Sequence, residues 1–201
     1  RARGVRMYHP ISTEEVLREN AAYEARINEA EEALSRRGFP RTAIFRQPVV
    51  WGEHDQYQHV NNAHYIRWFE SARMRWMERM SRTLSPEIAS NLVRGRGVGI
   101  ILASTYCRYR RPVTYPDTVV IGQAALPMKF ADRVTVRSQA YSVAQSAIVA
   151  EADFECVAYD YDRLCKSSLP PEVADALRAW TYTGEDKEPY CQKTSRRRTV
   201  S

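Results

Sequence analysis

From Val98 to Cys156 the chain offers one β-favouring run after another and no helical run between them. Val98–Arg110 is a long stretch of this kind, and Thr118–Ala125 follows a turn-rich break at Pro112–Asp117 (PVTYPD). Arg133–Tyr141 alternates, with Val134, Val136, Ser138 and Ala140 set against Thr135, Arg137, Gln139 and Tyr141. The last run is clearer still. Ile148, Ala150, Ala152, Phe154 and Cys156 face one way, while Glu151, Asp153 and Glu155 face the other. Alternation with period two predicts an antiparallel sheet, apolar on one face and wet on the other. With no crossover helix available, the four strands are expected to form a meander.

Such a sheet needs a cover for its apolar face. Tyr65, Ile66, Phe69, Ala72, Trp76, Met77 and Met80 recur at helical offsets, which predicts a long amphipathic helix over about 62–80. Ala43–Trp51 (AIFRQPVVW) reads as a strand before it, with Pro48 pointing to an edge or bulge. Further upstream, a capping box at Ser12–Glu15 and a stop at Gly38 and Pro40 bracket a helix. Its stripe of Val16, Tyr23, Ile27, Ala30 and Leu34 is expected to lie on the same domain. The segment after the long helix, which contains Pro86, reads as a loop. Leu169-Pro170-Pro171 opens a short helix to about Trp180, and the polar residues 181–201, Arg196–Arg198 among them, read as a disordered tail. The expected organisation is an α+β protein. Residues 1–42 form an N-terminal helical extension, 43–162 the main domain, and 163–201 a short helix with its tail.

The totals narrow the function classes. A chain of 201 residues, 44% hydrophobic and 27% charged, fits one globular domain with trimmings. No apolar run reaches the ~18 residues of a membrane span. The four cysteines form no CxxC pair, so neither a disulfide framework nor a zinc site is expected, and an intracellular location is. Residues 1–13 carry Arg1, Arg3 and Arg6 and no acid, which is compatible with the end of an organellar presequence and hence with the mitochondrial matrix. Of the formal net charge of +6, residues 1–40 contribute nothing (seven basic, seven acidic) and residues 41–170 contribute +5 (17 basic, 12 acidic). That excess suits an anionic ligand such as a phosphorylated cofactor, and no zinc-finger, RNP or recognition-helix pattern points to nucleic acid.

One stretch gathers more polar groups at a helix entrance than a cap requires: Trp51–Arg73, WGEHDQYQHVNNAHYIRWFESAR. Asp55 falls in the loop before the long helix and Asn61–His64 in its first turn. A helix N-terminus presents unpaired N–H groups that can polarise a carbonyl oxygen, and a nearby carboxylate can act there as general base or nucleophile. Taken singly, each residue also has a plain structural reading. Asp55 could satisfy loop amides, Asn61 or Asn62 could be the N-cap, His59 and His64 could be donors, and Glu70 could pair with Arg67 and Arg73 at the surface.

The same stretch, with its D-x-x-x-H-V-N-N-x-x-Y pattern followed by F-E-x-A-R, resembles hotdog-fold thioesterases of the 4-hydroxybenzoyl-CoA thioesterase-like group. It is also similar to the HVNN stretch of plant acyl-ACP thioesterases. YRRPVTYPDTVVIG and VAEADFECVAYDYD resemble later strands of those enzymes, so the similarity covers about residues 43–162. It implies a hotdog fold: a long central helix wrapped by an antiparallel β-sheet, here with an extra N-terminal helix. It implies an acyl-CoA thioesterase in which Asp55 attacks the thioester or activates water. The amide at Asn62 then polarises the carbonyl and His59 assists. Asn61, Tyr65, Glu70, Arg108, Arg110 and Arg111 are the expected substrate-binding residues, the arginines for the phosphates of CoA. No cofactor is implied, and the expected assembly is a homodimer or a dimer of dimers. Tyr57 stands where the plant pattern has Asn, and Gln58 where the hydroxybenzoyl pattern has Gly. Acyl-ACP hydrolysis and a non-catalytic hotdog domain that binds acyl-CoA or acts as a scaffold are the alternatives. The Asp/Asn-Pro-His motif of a hydratase is not found.

Overall fold

The structure is a computed structural model and describes residues 12–187, 189 and 190. Arg1, Arg3, Arg6, Cys191 and Arg196–Arg198 lie outside the described residues.

Helix α1 spans Thr13–Arg36 and begins as its capping box dictates. The Ser12 hydroxyl accepts the Glu15 N–H at 3.2 Å, and the Glu15 carboxylate accepts the Ser12 N–H at 2.7 Å. Strand β1 (Ile44–Pro48) follows, then α2 (Asn62–Ser81), capped by the Asn61 side chain. The segment read as a loop around Pro86 contains a helix, α3 (Pro86–Arg94). Proline at its first turn marks a start, and Gly95 in the left-handed region at φ 62° provides the stop. Strands β2 (Val98–Tyr109), β3 (Thr118–Ala125), β4 (Arg133–Ser142), β5 (Ala147–Asp160) and the two-residue β6 (Cys165–Lys166) complete the sheet, and α4 spans Pro171–Ala179.

The sheet is antiparallel in the order β1-β3-β4-β5-β2, with β6 against β5. Only β3, β4 and β5 form a meander. The 12-residue β2 pairs with the far side of the 14-residue β5, from Val98↔Asp160 to Tyr109↔Ala150. β5 is the one strand long enough to satisfy it along its whole length. Residues 110–117 then cross the end of the sheet to reach β3, and β2 is left as an edge.

Helix α2 lies on the inner face. Phe69, Trp76 and Met80, none more than 1% exposed, pack with Val134, Val136, Ala152 and Phe154, and the Phe69 and Phe154 rings meet edge-on at 5.8 Å. Glu155 and most of β2 stay at least partly exposed, but over β3 and the middle of β4 and β5 the outer face is not wet, contrary to the alternation. Ile27, Ala30, Leu34 and Phe39 cover Val120 and Ala124 there, while Tyr23 donates to Thr118 Oγ1 at 2.7 Å. Beside this apolar cover the acids and bases of β4 and β5 are buried in pairs. Arg137 donates through Nε and Nη2 to the two oxygens of Asp153, each at 3.0 Å, with 0% and 4% of the residues exposed.

The chain end closes over this face, so the tail read as disordered is anchored at Tyr182 and Tyr190, with Thr183 and residues 185–187 exposed between them and residue 188 not described. Tyr182 is 5% exposed, the Tyr190 N–H donates to Asp153 at 2.6 Å, and the Arg137 guanidinium lies 4.0 Å from the Tyr190 ring centre. Gly38, at φ 101°, makes the approach possible. A Cβ there would fall 2.0 Å from the Gly184 nitrogen, and the Gly38 carbonyl accepts the Thr183 N–H at 3.0 Å.

Candidate active site

The loop that carries Asp55 is pinned at both ends before any side chain acts. Val49 N–H donates to the Asp117 carbonyl and Val60 N–H to the Val113 carbonyl, which ties the loop to the segment between β2 and β3. Glu53, 13% exposed at its side chain, fastens it to α2. One carboxylate oxygen accepts the Trp68 indole N–H at 2.8 Å, the other accepts the Val50 N–H at 2.7 Å, and His64 Nδ1 lies 3.7 Å away. His54 Nε2 accepts the Tyr115 N–H at 2.8 Å. Glu53 and His54 were not among the expected site residues, since their partners lie 15 and 61 residues along the chain.

Within that frame Asp55 opens a tight turn. Its carbonyl accepts the Gln58 N–H, its N–H donates to the His59 carbonyl, and its Oδ1 accepts the Tyr57 N–H at 2.8 Å. The carboxylate is partly exposed and its second oxygen has no hydrogen-bond partner among the described residues. Gln58 sits at φ 65°, the conformation that favours glycine, so the turn keeps its shape without the glycine at a cost of about 1 kcal/mol. Gln58→Val, β-branched at positive φ, should cost a further ~1–2 kcal/mol in urea unfolding, whereas Gln58→Gly should cost nothing.

Helix α2 then begins with one open donor. Asn61 Oδ1 accepts the Ala63 N–H at 2.9 Å, and the Asn61 carbonyl accepts the His64 N–H at 2.9 Å. The Asn62 N–H has no partner among the described residues. Tyr109, at the end of β2, donates its hydroxyl to the Asn62 carbonyl at 3.1 Å and packs edge-on to Tyr65 at 5.3 Å. His59, Asn62, Tyr65, Tyr109, Arg110 and Arg111 line one groove of about 310 Å³ at this helix end.

Of the nine expected site residues, five therefore share the groove: His59, Asn62, Tyr65, Arg110 and Arg111. Asp55 borders it through the backbone of His59 without lining it. Asn61 is committed to the cap. Glu70 is exposed two turns further along α2, has no ion pair among the described residues and does not line the groove. Arg73 is not at the surface, as a pair with Glu70 would require. It is 6% exposed, with its guanidinium 4.8 Å from the Phe154 ring centre. Arg108 is exposed on β2 outside the groove, and Arg110 is held by Glu151, which is 6% exposed and accepts its Nε at 2.7 Å. Arg111 has no carboxylate partner among the described residues. Tyr109 was missed by sequence reasoning because a tyrosine closing a strand carries no signal of a helix it meets 47 residues away.

Burial pushes the Tyr65 hydroxyl up to about 12, against the Val113 N–H, and raises Tyr109 by burial and then by its neighbour Cys107. Tyr190 is likewise pushed up to about 12 by burial. A folded value above the unfolded one means stability that is complete below about pH 10 and is lost as the pH climbs toward 12. Urea midpoints should hold up to about pH 10 and fall above it, together with tyrosinate absorbance. Midpoints flat through that window would contradict the burial of these rings.

The profile of the thioesterase-like superfamily matches residues 49–177. The chain belongs to that superfamily. Its fold is the hotdog fold, seen also in the PA5185 protein of Pseudomonas aeruginosa strain PAO1, with a TM-score of 0.60 at 22% identity over 71% of this chain and 93% of that one. Slr0204, a 1,4-dihydroxy-2-naphthoyl-CoA thioesterase from Synechocystis, superposes with a TM-score of 0.57 at 15% identity, covering 67% of this chain and 94% of its own. The BH1999 gentisyl-coenzyme A thioesterase gives 0.55 at 15% identity, covering 67% and 98%. Membership of this thioesterase superfamily supports hydrolysis of an acyl thioester, on a domain whose central helix is α2 and whose added helix is α1.

Proposed function

We propose that the protein hydrolyses acyl-CoA to free acid and CoA, in the manner of the 4-hydroxybenzoyl-CoA thioesterase-like group. The observation that carries this reading is the open Asn62 N–H at the head of α2, in a groove bordered by the Asp55 turn. The thioester carbonyl oxygen docks on that N–H, where the helix end stabilises developing negative charge. The Asp55 carboxylate takes a proton from water as the water oxygen attacks the carbonyl carbon. The carbonyl electron pair moves onto oxygen, then returns and expels the CoA thiolate, which takes up the proton held by Asp55 and so restores the carboxylate. Direct attack by Asp55 would give a mixed anhydride that water then opens. Arg111 is the arginine best free to meet a CoA phosphate, since Glu151 already neutralises Arg110.

Among the described residues the edge strand β2 leaves its outer N–H and C=O groups open to a second copy, and a homodimer joined there would extend the groove. One observation favours a binding-only domain instead: Asp55 does not itself line the groove. Free-thiol release from short, medium, long and aromatic acyl-CoAs, run on wild type and Asp55→Asn, separates the two. Wild type inactive on the whole panel, and on acyl-carrier-protein substrates, leaves the binding domain as the answer.

A further inference from the structure

On the outer face of the sheet a second cavity, of about 340 Å³, shares no lining residue with the groove of the candidate active site. Its floor includes Ser104 and Tyr106 of β2 and Thr135 of β4. The register of β2 against β5 shifts between Leu102 and Ser104, so a bulge re-aims the strand at the rim of this cavity. One wall is the β3–β4 connection, with Lys129 and the 61%-exposed Phe130. The opposite wall is the C-terminal segment, which brings Lys187.

That second wall is anchored on both sides of Lys187 by one buried ion pair. Arg137 donates to the Asp186 carbonyl, and Asp153 accepts the Tyr190 N–H. Most of the charge around the cavity is already matched. Arg133 pairs with Glu155 at 3.0 Å, and Asp153 is held by Arg137. Lys129 and Lys187 have no ion pair among the described residues, although they come from walls far apart in the chain. Two ammonium groups without an ion pair among the described residues, hydroxyls on the floor, and the exposed Phe130 ring, which has the Arg133 guanidinium 5.4 Å from its centre on one face, make up the remaining chemistry. A volume of this size lies in the range of small-ligand sites.

We propose that this cavity binds a small phosphorylated ligand with a flat ring, of the nucleotide class. Lys129 and Lys187 hold its phosphates, and its ring packs on Phe130. The claim does not depend on the catalytic reading of the groove, and binding is read without turnover.

Calorimetric titration of the full chain with ADP, pyrophosphate and adenosine tests it. ADP should bind saturably and more tightly than either fragment. Lys129→Ala/Lys187→Ala should weaken ADP by at least about tenfold, with the unfolding midpoint unchanged. Phe130→Ala should weaken ADP and leave pyrophosphate as it was. The proposal is overturned by any of three results: no saturable ADP binding, either fragment bound as tightly as ADP, or ADP binding that survives loss of both lysines. The last would put the nucleotide elsewhere, the groove of Arg111 included.

Discussion

Asp55→Asn should lower the turnover of acyl-CoA by about a hundredfold or more while the protein unfolds at the same urea concentration. The two halves of that result come from different atoms. Asparagine keeps an Oδ1 that can accept the Tyr57 N–H, and the other turn bonds of residue 55 run through its backbone, so the loop is held as before. What disappears is the negative charge that takes the proton. Asp55→Ala makes the contrast visible, because it also removes the Tyr57 contact and should cost about 0.5–1.5 kcal/mol of stability as well. If Asp55→Asn loses rate and stability together, the carboxylate is a structural acceptor. If it keeps full rate, the base is elsewhere.

The largest effect on stability is expected at the outer face. Arg137→Met leaves the Asp153 carboxylate 4% exposed with its cation gone, and breaking a buried pair in this way costs about 3–5 kcal/mol. Against a total of about 5–15 kcal/mol for a typical domain, the variant should be close to unfolding at ambient temperature. The pair Arg137→Met/Asp153→Leu should recover most of the loss, since no uncompensated charge remains and the site is filled. Urea midpoints of the two variants decide it. A single variant within about 1 kcal/mol of wild type would mean that water reaches Asp153 and the chain end does not seal the face.

The same pair shows where sequence reasoning stopped. Arg137 and Gln139 on β4, with Glu151 and Asp153 on β5, alternate with apolar residues as a wet face would. Alternation reports which residues share a side, and whether that side meets water depends on segments elsewhere in the chain. Here the cover is α1 and the residues around Tyr182 and Tyr190, more than a hundred residues apart in sequence. Strand order was hidden for a similar reason. Nothing local tells β2 that its partner is β5, since the match rests on strand length and on the path of residues 110–117. Elements whose signal is internal were legible: α2 was expected over 62–80 and spans Asn62–Ser81, and β3 runs over Thr118–Ala125 as expected. At the candidate site, the HVNN stretch brought His59, Asn62 and Tyr65 to one groove because they sit on one helix entrance. The partners that fix this entrance, Glu53 with Trp68 and Tyr109 with Asn62, are contacts made by the fold.

The seal formed by α1 and the chain end also governs how copies of the molecule can add to one another. A sheet with a bare outer face can stack on another sheet, and assembly then proceeds in layers. In this chain such stacking would have to peel away Ile27, Leu34 and Phe39 and expose the Arg137–Asp153 pair, which makes layering unfavourable before any new contact forms. The edge of β2 carries no such cover among the described residues. The homodimer proposed above would therefore form sideways, strand to strand, and its second copy would use up the edge that invited it.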